Sequence, residues 1–418
     1  MTARPPADAL EREVRDFVAR CREPVLLEPG EDPIPLSGGS FELAYAADRL
    51  QLHAWSEARN LARRITGVRA RGRGKLELTV ARFGGREGSL TLADLAAPEN
   101  HAVLVRSERL MQREALGLFL ARQFPGWHVA VLTAGRDLAR SLPDTHPRAL
   151  LIKGRQGIAA IAAGTDPDGT LAYGLLWLDH LRRRRPDLTL ERLVLLLPRG
   201  AEGPTCWRIR HLQGARFEVF AQSPSGYAEP VDLADLGNLA TELEPCRRDG
   251  AAAPGRVAAA PGSPPVRRPE HWLERQVRAN LEAIDADLLP EPVYGQVPAV
   301  AAVTRGVMDL VACGRSGRLA VLELKATQDL RLPLQALDYW MRVAWHLARG
   351  EFTAHGYFPG RELRRAPPRL FLVAPAVEFH PANETILGFF ASGLEVECVG
   401  LGLEWQKRLK VVFRRGRK

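Results

Sequence analysis

The sequence predicts an α/β protein. A mixed sheet flanked by helices closes the chain, a degenerate copy of that unit lies upstream, and a β-rich region precedes both. Three observations carry this reading. A stretch rich in Ala, Pro and Gly at about 246–268 offers almost nothing to bury and divides the chain as a flexible linker. Behind it, short apolar strands alternate with helical patterns. Before it, the same order of elements recurs around a similar Gly-Arg-x-Gly turn.

Residues 1–105 form the β-rich region. Alternation through Asp48–Trp55 and Lys75–Val80 indicates strands, and Gly84, Gly85 and Gly88 mark turns. Arg63, Arg64, Arg69, Arg71 and Arg73 leave two readings open: a small basic module touching nucleic acid, or a structural cap.

Residues 106–245 read as a helix over 107–123, a strand at 127–132 and a hairpin turning at Gly154-Arg155-Gln156-Gly157. A helix through Gly174–Asp179 and a strand Leu193–Pro198 follow. Setting that turn over Gly314-Arg315-Ser316-Gly317 makes Ala149, Ala163 and Thr165 the equivalents of Asp309, Glu323 and Lys325. The expectation is a copy that keeps the hairpin and has lost the chemistry. The alternative is two unrelated α/β units that share a short turn.

Residues 269–418 read as an opening helix over 269–284, strands at 307–313 and 318–325, and a helix over 332–349. A strand at 370–375, a helix near 383–392 and a closing β segment complete the unit. Pro333 suits the first turn of its helix, where a missing N–H costs nothing. Leu334, Leu337, Met341, Ala344 and Leu347 recur at helical spacing as a core stripe. Gln335, Tyr339, Arg342 and His346 form a separate polar stripe, placed to flank a site and touch a phosphate backbone.

The chemistry lies in the two strands before that helix. Asp309, Glu323 and Lys325 are embedded in apolar segments, where charges are costly unless paired or bound to a metal. Glu323 and Lys325 share one strand face. A three-residue loop, Arg315-Ser316-Gly317, needs positive φ at its last position, which Gly317 supplies. That register pairs 314 with 318 and so Asp309 with Glu323, with Cβ atoms about 5 Å apart on one face. A two-residue loop would put Asp309 on the wrong face. Two carboxylates so placed suit Mg²⁺ or Mn²⁺, whose bound water is acidified and can attack phosphorus. Lys325 would orient that water or neutralise charge developing on the phosphate. Only six residues are lysine in this arginine-rich chain, and one of them stands at this spot, where a compact ammonium is wanted.

Asp-x13-Glu-x-Lys, followed by Gln-x3-Tyr on the next helix, resembles the PD-(D/E)XK nuclease superfamily, in particular members with a RecB-type Gln-x3-Tyr motif. The resemblance covers only about residues 269–418 and implies a restriction-endonuclease-like fold there. By it, Asp309 and Glu323 are the metal ligands, Lys325 is the catalytic lysine, and Gln335 and Tyr339 are accessory residues. Glu274, in His-Trp-Leu-Glu on the opening helix, matches the acid that many members carry there. Val307-Met308 replaces the motif's proline.

Composition bounds the rest. At 418 residues, 46% apolar and 26% charged, the chain is expected to be a globular protein of more than one domain. A net charge of +9 and an isoelectric point near 9.6 suit a polyanion. Basic runs stand at Arg182–Arg185, between Arg361 and Arg369, and at the C-terminus. Five scattered cysteines give no Cys-x2-Cys pair, which argues for a reducing compartment and against zinc or iron–sulfur sites. No signal peptide and no membrane-length apolar run is read, so a cytoplasmic protein without a membrane partner is expected. No phosphate-binding loop, His-Glu-x2-His or Gly-x-Ser-x-Gly motif is present. The sequence therefore predicts a Mg²⁺-dependent nuclease acting on nucleic acid, DNA before RNA. Its rival is a non-cleaving nucleic-acid-binding or regulatory protein with a nuclease-like fold.

Overall fold

The computed structural model describes residues 7–28, 33–36, 40–46, 49–56, 60–81, 87–164, 166–234, 241–246, 269–295, 298–301, 305–307 and 310–417. The linker read at 246–268 lies outside them except for Cys246, as do Thr165 and Asp309. Two compact units are present, Met1–Arg136 with Asp144–Ala149, and Asp137–Pro143 with Leu150–Lys418.

The first unit is a β-rich half-barrel. Helix α1 (Ala7–Arg20) precedes seven antiparallel strands: β1 (Pro24–Leu27), β2 (Ile34–Pro35), β3 (Phe41–Ala46), β4 (Arg49–Trp55), β5 (Asn60–Gly72), β6 (Lys75–Ala81) and β7 (Glu87–Asp94). Their order in the sheet is β2-β1-β7-β6-β5-β4-β3. Alternate residues Leu50, Leu52 and Ala54, then Leu76, Leu78 and Val80, then Leu90 and Leu92 all face one core. Leu10, Val14 and Phe17, spaced four and three apart on α1, fill the same core. Irregularities at Ile65/Gly67 and Val68/Ala70 interrupt the β5 ladder, the kind of defect that bends a long strand. Helix α2 (Pro98–Gln123) and strand β8 (His128–Thr133) follow.

The second unit holds the candidate chemistry. Its upstream part runs β9 (Arg148–Lys153), β10 (Gln156–Ala162), α3 (Thr170–Arg184), β11 (Thr189–Pro198), α4 (Glu202–Ile209), β12 (Arg216–Gln222) and β13 (Ala228–Pro230). The sheet order runs β13-β12-β11-β10-β9, with β10, β11 and β12 parallel and β13 antiparallel. Strand β14 (Thr241–Leu243) comes next. It pairs with residues on the far side of the linker, β16 (Pro298–Ala301), reached after α5 (Pro269–Ala279), α6 (Leu281–Ile284) and β15 (Tyr294–Gly295). Then come β17 (Arg305–Val307), β18 (Leu310–Cys313), β19 (Leu319–Leu324), α7 (Leu332–Ala348), α8 (Glu351–Ala354), β20 (Arg369–Pro375), α9 (Ala382–Leu387), β21 (Val396–Leu401) and β22 (Val411–Arg417).

The C-terminal sheet has the order β15-β18-β19-β20-β21-β22. Within it β18/β19 and β21/β22 are antiparallel, while β19, β20 and β21 are parallel. Ala320, Leu322, Leu324, Phe371 and Val373 bury one face under Leu273 and Val277 of α5. That cluster holds no side chain from α7, which packs on β19 and β20 from the other side. Among the described residues, no helix is long and apolar enough to cross a membrane.

Two expectations need correction. The strand read over 307–313 divides: Arg305–Val307 pairs with β16 in a separate three-stranded sheet, and only Leu310–Cys313 enters the six-stranded one. The register equating the two hairpins also shifts. The β9–β10 turn has two residues, Gly154 and Arg155, with the positive φ (60°) at Gly154. The C-terminal turn has three, with the positive φ (77°) at Gly317. Ala163 N–H donates to the carbonyl of Leu196 (2.8 Å) as Lys325 N–H donates to that of Val373 (3.1 Å). Ala163 thus takes the place of Lys325, and Ile161 that of Glu323. The shift is two residues: Lys153 rather than Gly154 takes the place of Gly314, and the loop that follows is one residue shorter.

Gly317 is required where it stands. Besides its φ, an added Cβ would lie 2.3 Å from the backbone oxygen of Glu362. Gly317→Ala should destabilise the protein by about 2 kcal/mol or more, because strain and clash add. Urea melts check this, and an unchanged midpoint would contradict it.

Candidate functional site

The hairpin register is the one the site needs. Leu310 stands opposite Leu322, Val311 opposite Val321, Ala312 opposite Ala320 and Cys313 opposite Leu319. Gly314 N–H closes the turn on the carbonyl of Arg318 at 2.8 Å. Asp309, one residue before this ladder, lies outside the described residues.

Glu323 sits in the last turn of the pleat in β19, paired with Leu372 of β20, and is only 2% exposed. Its neighbours Leu322 and Leu324 face α5, so alternation turns Glu323 to the opposite side, where α7 packs. Lys325 follows immediately past the strand end. Its Nζ lies 3.6 Å from Oδ2 of Asp329, and its ammonium stays partly exposed.

Asp329 was not singled out from the sequence, although Lys-x3-Asp is a spacing that could have flagged it. It accepts from the backbone N–H of Arg331 at 2.8 Å. Asn383, buried on α9, donates through Nδ2 to the carbonyls of Asp329 and Leu330. Arg331 reaches Asp166 of the upstream part at 3.5 Å. The segment carrying Lys325 is therefore held from both sides.

Helix α7 supplies the remaining residues. Its apolar stripe is as expected, with Leu334, Leu337, Met341 and Leu347 buried. Gln335 and Tyr339 are half-buried on another face. Gln335 Oε1 and Arg342 Nη1 are buried and have no hydrogen-bond partner among the described residues. His346 departs from the polar stripe: it is fully buried, with Nδ1 2.5 Å from Oε2 of Glu351, and cannot reach a phosphate backbone.

Burial pushes the His346 pKa down against the opposing effect of Glu351. The unfolded chain then takes up the proton first. This contribution to stability is present above about pH 6.5, the ordinary histidine value, and is lost as pH falls below it. His211, lowered by burial and by Arg210, acts in the same direction. Stability should therefore decline as pH falls below about 6.5, and His346→Gln should flatten that decline in melts run across a pH series.

Glu274 is turned elsewhere. It lies 3.4 Å from Arg278 and 3.8 Å from His271, and its Oε1 stands against Gly295. Gly295 pairs with Leu310, whose partner is Leu322, so Glu274 is on the α5 face and across the sheet from Glu323.

The arginine runs are engaged more internally than their sequence suggests. In the half-barrel, Arg63 pairs with buried Glu28, Arg69 with Glu77 and Arg71 with Glu13. Arg182 donates to the carbonyls of Leu190 and Gly214, while Arg183 and Arg185 pair with Asp179 and Asp187. Arg369, Arg414 and Arg415 meet Asp285, Glu397 and Glu384. Arg361, Arg364 and Arg365 are exposed beside the hairpin tip, where Arg364 N–H donates to Gly317.

Comparison with protein-family models, curated proteins and solved structures gives no significant match. Among the described residues, no group of three or more His, Cys, Asp or Glu side chains is arranged to hold a metal ion. Glu323 is one hard oxygen donor, and Gln335 Oε1 is a buried acceptor on the helix packed against its strand. Hard oxygen donors of this kind suit Mg²⁺ or Mn²⁺.

Proposed function

We propose that this protein is a metal-dependent nuclease of the PD-(D/E)XK type, hydrolysing phosphodiester bonds in DNA, with its active site in the C-terminal α/β part. The observation that carries the reading is a carboxylate 2% exposed on a central strand, one residue beyond the Leu310–Leu322 pair and two residues before Lys325. By the spacing in the sequence, Asp309 is expected opposite Glu323. The two would hold a divalent cation, which when bound supplies Lewis-acid polarisation of a phosphate oxygen and of a water. Lys325 neutralises charge developing on the phosphate. The Gln335 carbonyl accepts a hydrogen bond from the attacking water and so orients it, and Tyr339 borders the site from the next turn of α7. Glu274, across the sheet, enters no step.

One observation favours the rival reading, a non-cleaving nucleic-acid-binding or regulatory protein: Lys325 is engaged by Asp329. The deciding experiment is incubation with labelled duplex, single-stranded and branched DNA and with RNA, with Mg²⁺ or with EDTA. Cleavage that needs the metal supports the nuclease; binding without cleavage supports the rival. Thermal melts test the metal itself. Millimolar Mn²⁺ should raise the melting temperature of the wild type by mass action and not that of Asp309→Ala. An equal rise in both proteins, or none in the wild type, counts against the assignment.

A further inference from the structure

The two α/β parts of the second unit share more than an order of elements. Both β11 and β20 end in proline, at Pro198 and Pro375, and both next strands enter in parallel, β12 and β21. Helices α3 and α7 follow the two hairpins, and α4 and α9 precede the two third parallel strands.

Equivalent elements also meet each other crosswise. Helix α3 packs on α9, and α4 packs on α7. The segments that follow α4 and α9 pair as an antiparallel bridge, Leu212 opposite Phe390. Around it Gln213 N–H donates to the carbonyl of Phe389 (2.7 Å), and Ala391 N–H donates to that of His211 (2.8 Å). Each bond has its counterpart when the two parts are exchanged. A contact in which element a of one part meets element b of the other, and b meets a, is the signature of a two-fold isologous interface.

We infer that the second unit is a covalently fused pseudo-dimer, with an approximate two-fold axis at the Leu212–Phe390 bridge, one half chemically competent and the other blank. The blank half carries Ile161 and Ala163 where the other carries Glu323 and Lys325, and neither side chain can hold a cation or neutralise a phosphate. The functional consequence rests on the nuclease reading above. The strands of a DNA duplex are themselves related by local two-fold axes, so a symmetric dimer presents one site to each strand. A pseudo-dimer with one blank half presents a site to one strand only. The substrate is then duplex DNA and the product of each encounter is a nick. Water adds to phosphorus, one phosphorus–oxygen bond to a sugar breaks, and the leaving oxygen takes up a proton as the water gives one up.

Two measurements on the full chain test this. With supercoiled plasmid and Mg²⁺ or Mn²⁺, nearly all the supercoiled form should pass to nicked circle before linear molecules appear. Linear product formed directly from supercoiled DNA overturns the one-strand proposal and leaves the nuclease reading standing. No cleavage of plasmid, single strands or RNA removes the nuclease reading, and the one-strand product with it. The second measurement is independent of activity. Leu212→Cys with Phe390→Cys should oxidise to an intrachain disulfide, found as a cross-linked peptide pair spanning the two positions, since directly opposed strand residues lie about 4.5–5.5 Å apart between Cα atoms. A folded double variant that forms no such link overturns the two-fold arrangement.

Discussion

Glu323→Gln should lower the rate of phosphodiester hydrolysis by about 100-fold or more while leaving the fold intact, and Lys325→Ala should do the same. The glutamine is isosteric and neutral, so it keeps the packing of a side chain that is 2% exposed and removes the charge that would bind a cation. On the nuclease reading, nucleic-acid affinity should change little, because backbone-phosphate contacts by basic side chains generally dominate such affinity. Single-turnover rates and filter binding on the same variants separate the two quantities. A Glu323→Gln protein that cleaves at the wild-type rate would remove this site from the reaction. Asp329→Asn gives a finer reading: if the Lys325–Asp329 pair orients the ammonium, this change lowers the rate with less effect on binding.

The largest effect on stability is expected at Arg208. This residue of α4 is buried, and its Nε and Nη2 donate to both oxygens of Asp338 on α7 at 2.8 and 2.6 Å. Its Nη1 lies 3.4 Å from the carbonyl of Asp168. Burial works against the guanidinium's charge, but Asp338 beside it more than offsets this and holds its pKa above the ordinary arginine value. Removing Asp338 leaves the buried guanidinium without compensation, which costs about 3 kcal/mol or more, and removing Arg208 strands a half-buried carboxylate at a smaller cost. Asp338→Ala and Arg208→Ala should show these losses in urea melts. Arg208→Met combined with Asp338→Leu should recover most of the loss, because the penalty lies in the stranded charge. A loss below about 0.5 kcal/mol in both single variants would mean that the pair contributes no more than an exposed one.

What each level of description determined can be told from particular residues. The amphipathic stripe Leu334–Leu337–Met341–Leu347 was legible because helical packing writes itself as a spacing of three and four, and these side chains are buried as expected. The β18–β19 register was legible for a similar reason: a glycine with positive φ at the last loop position admits a three-residue turn, and that turn dictates the partners of every residue on both strands. The strands and helices of both α/β parts were legible as apolar runs separated by helical patterns, while the parallel pairing of β10 with β11 and of β19 with β20 came from the structure. These are local patterns, set by a few neighbouring side chains.

The rest depended on contacts between residues far apart in the chain. The one-residue difference between the two hairpins turned on which glycine of Gly-Arg-x-Gly takes the positive φ, Gly154 or Gly317, and both choices satisfy the sequence. His346 looked like a member of a polar stripe until α8 brought Glu351 to its ring and sealed it from water. Glu274 matches the acid that the family resemblance implies, but the face its helix covers is set by Leu273 and Val277 packing under Leu322. The arginine runs counted as surface charge because their acids, Glu28, Asp179 and Glu397 among them, stand on other elements or another turn. The crosswise meeting of α3 with α9 and of α4 with α7, with Arg208 of α4 paired to Asp338 of α7, leaves no periodic trace in the chain. Periodicity reports which side of an element is buried; only tertiary packing decides what is buried against it.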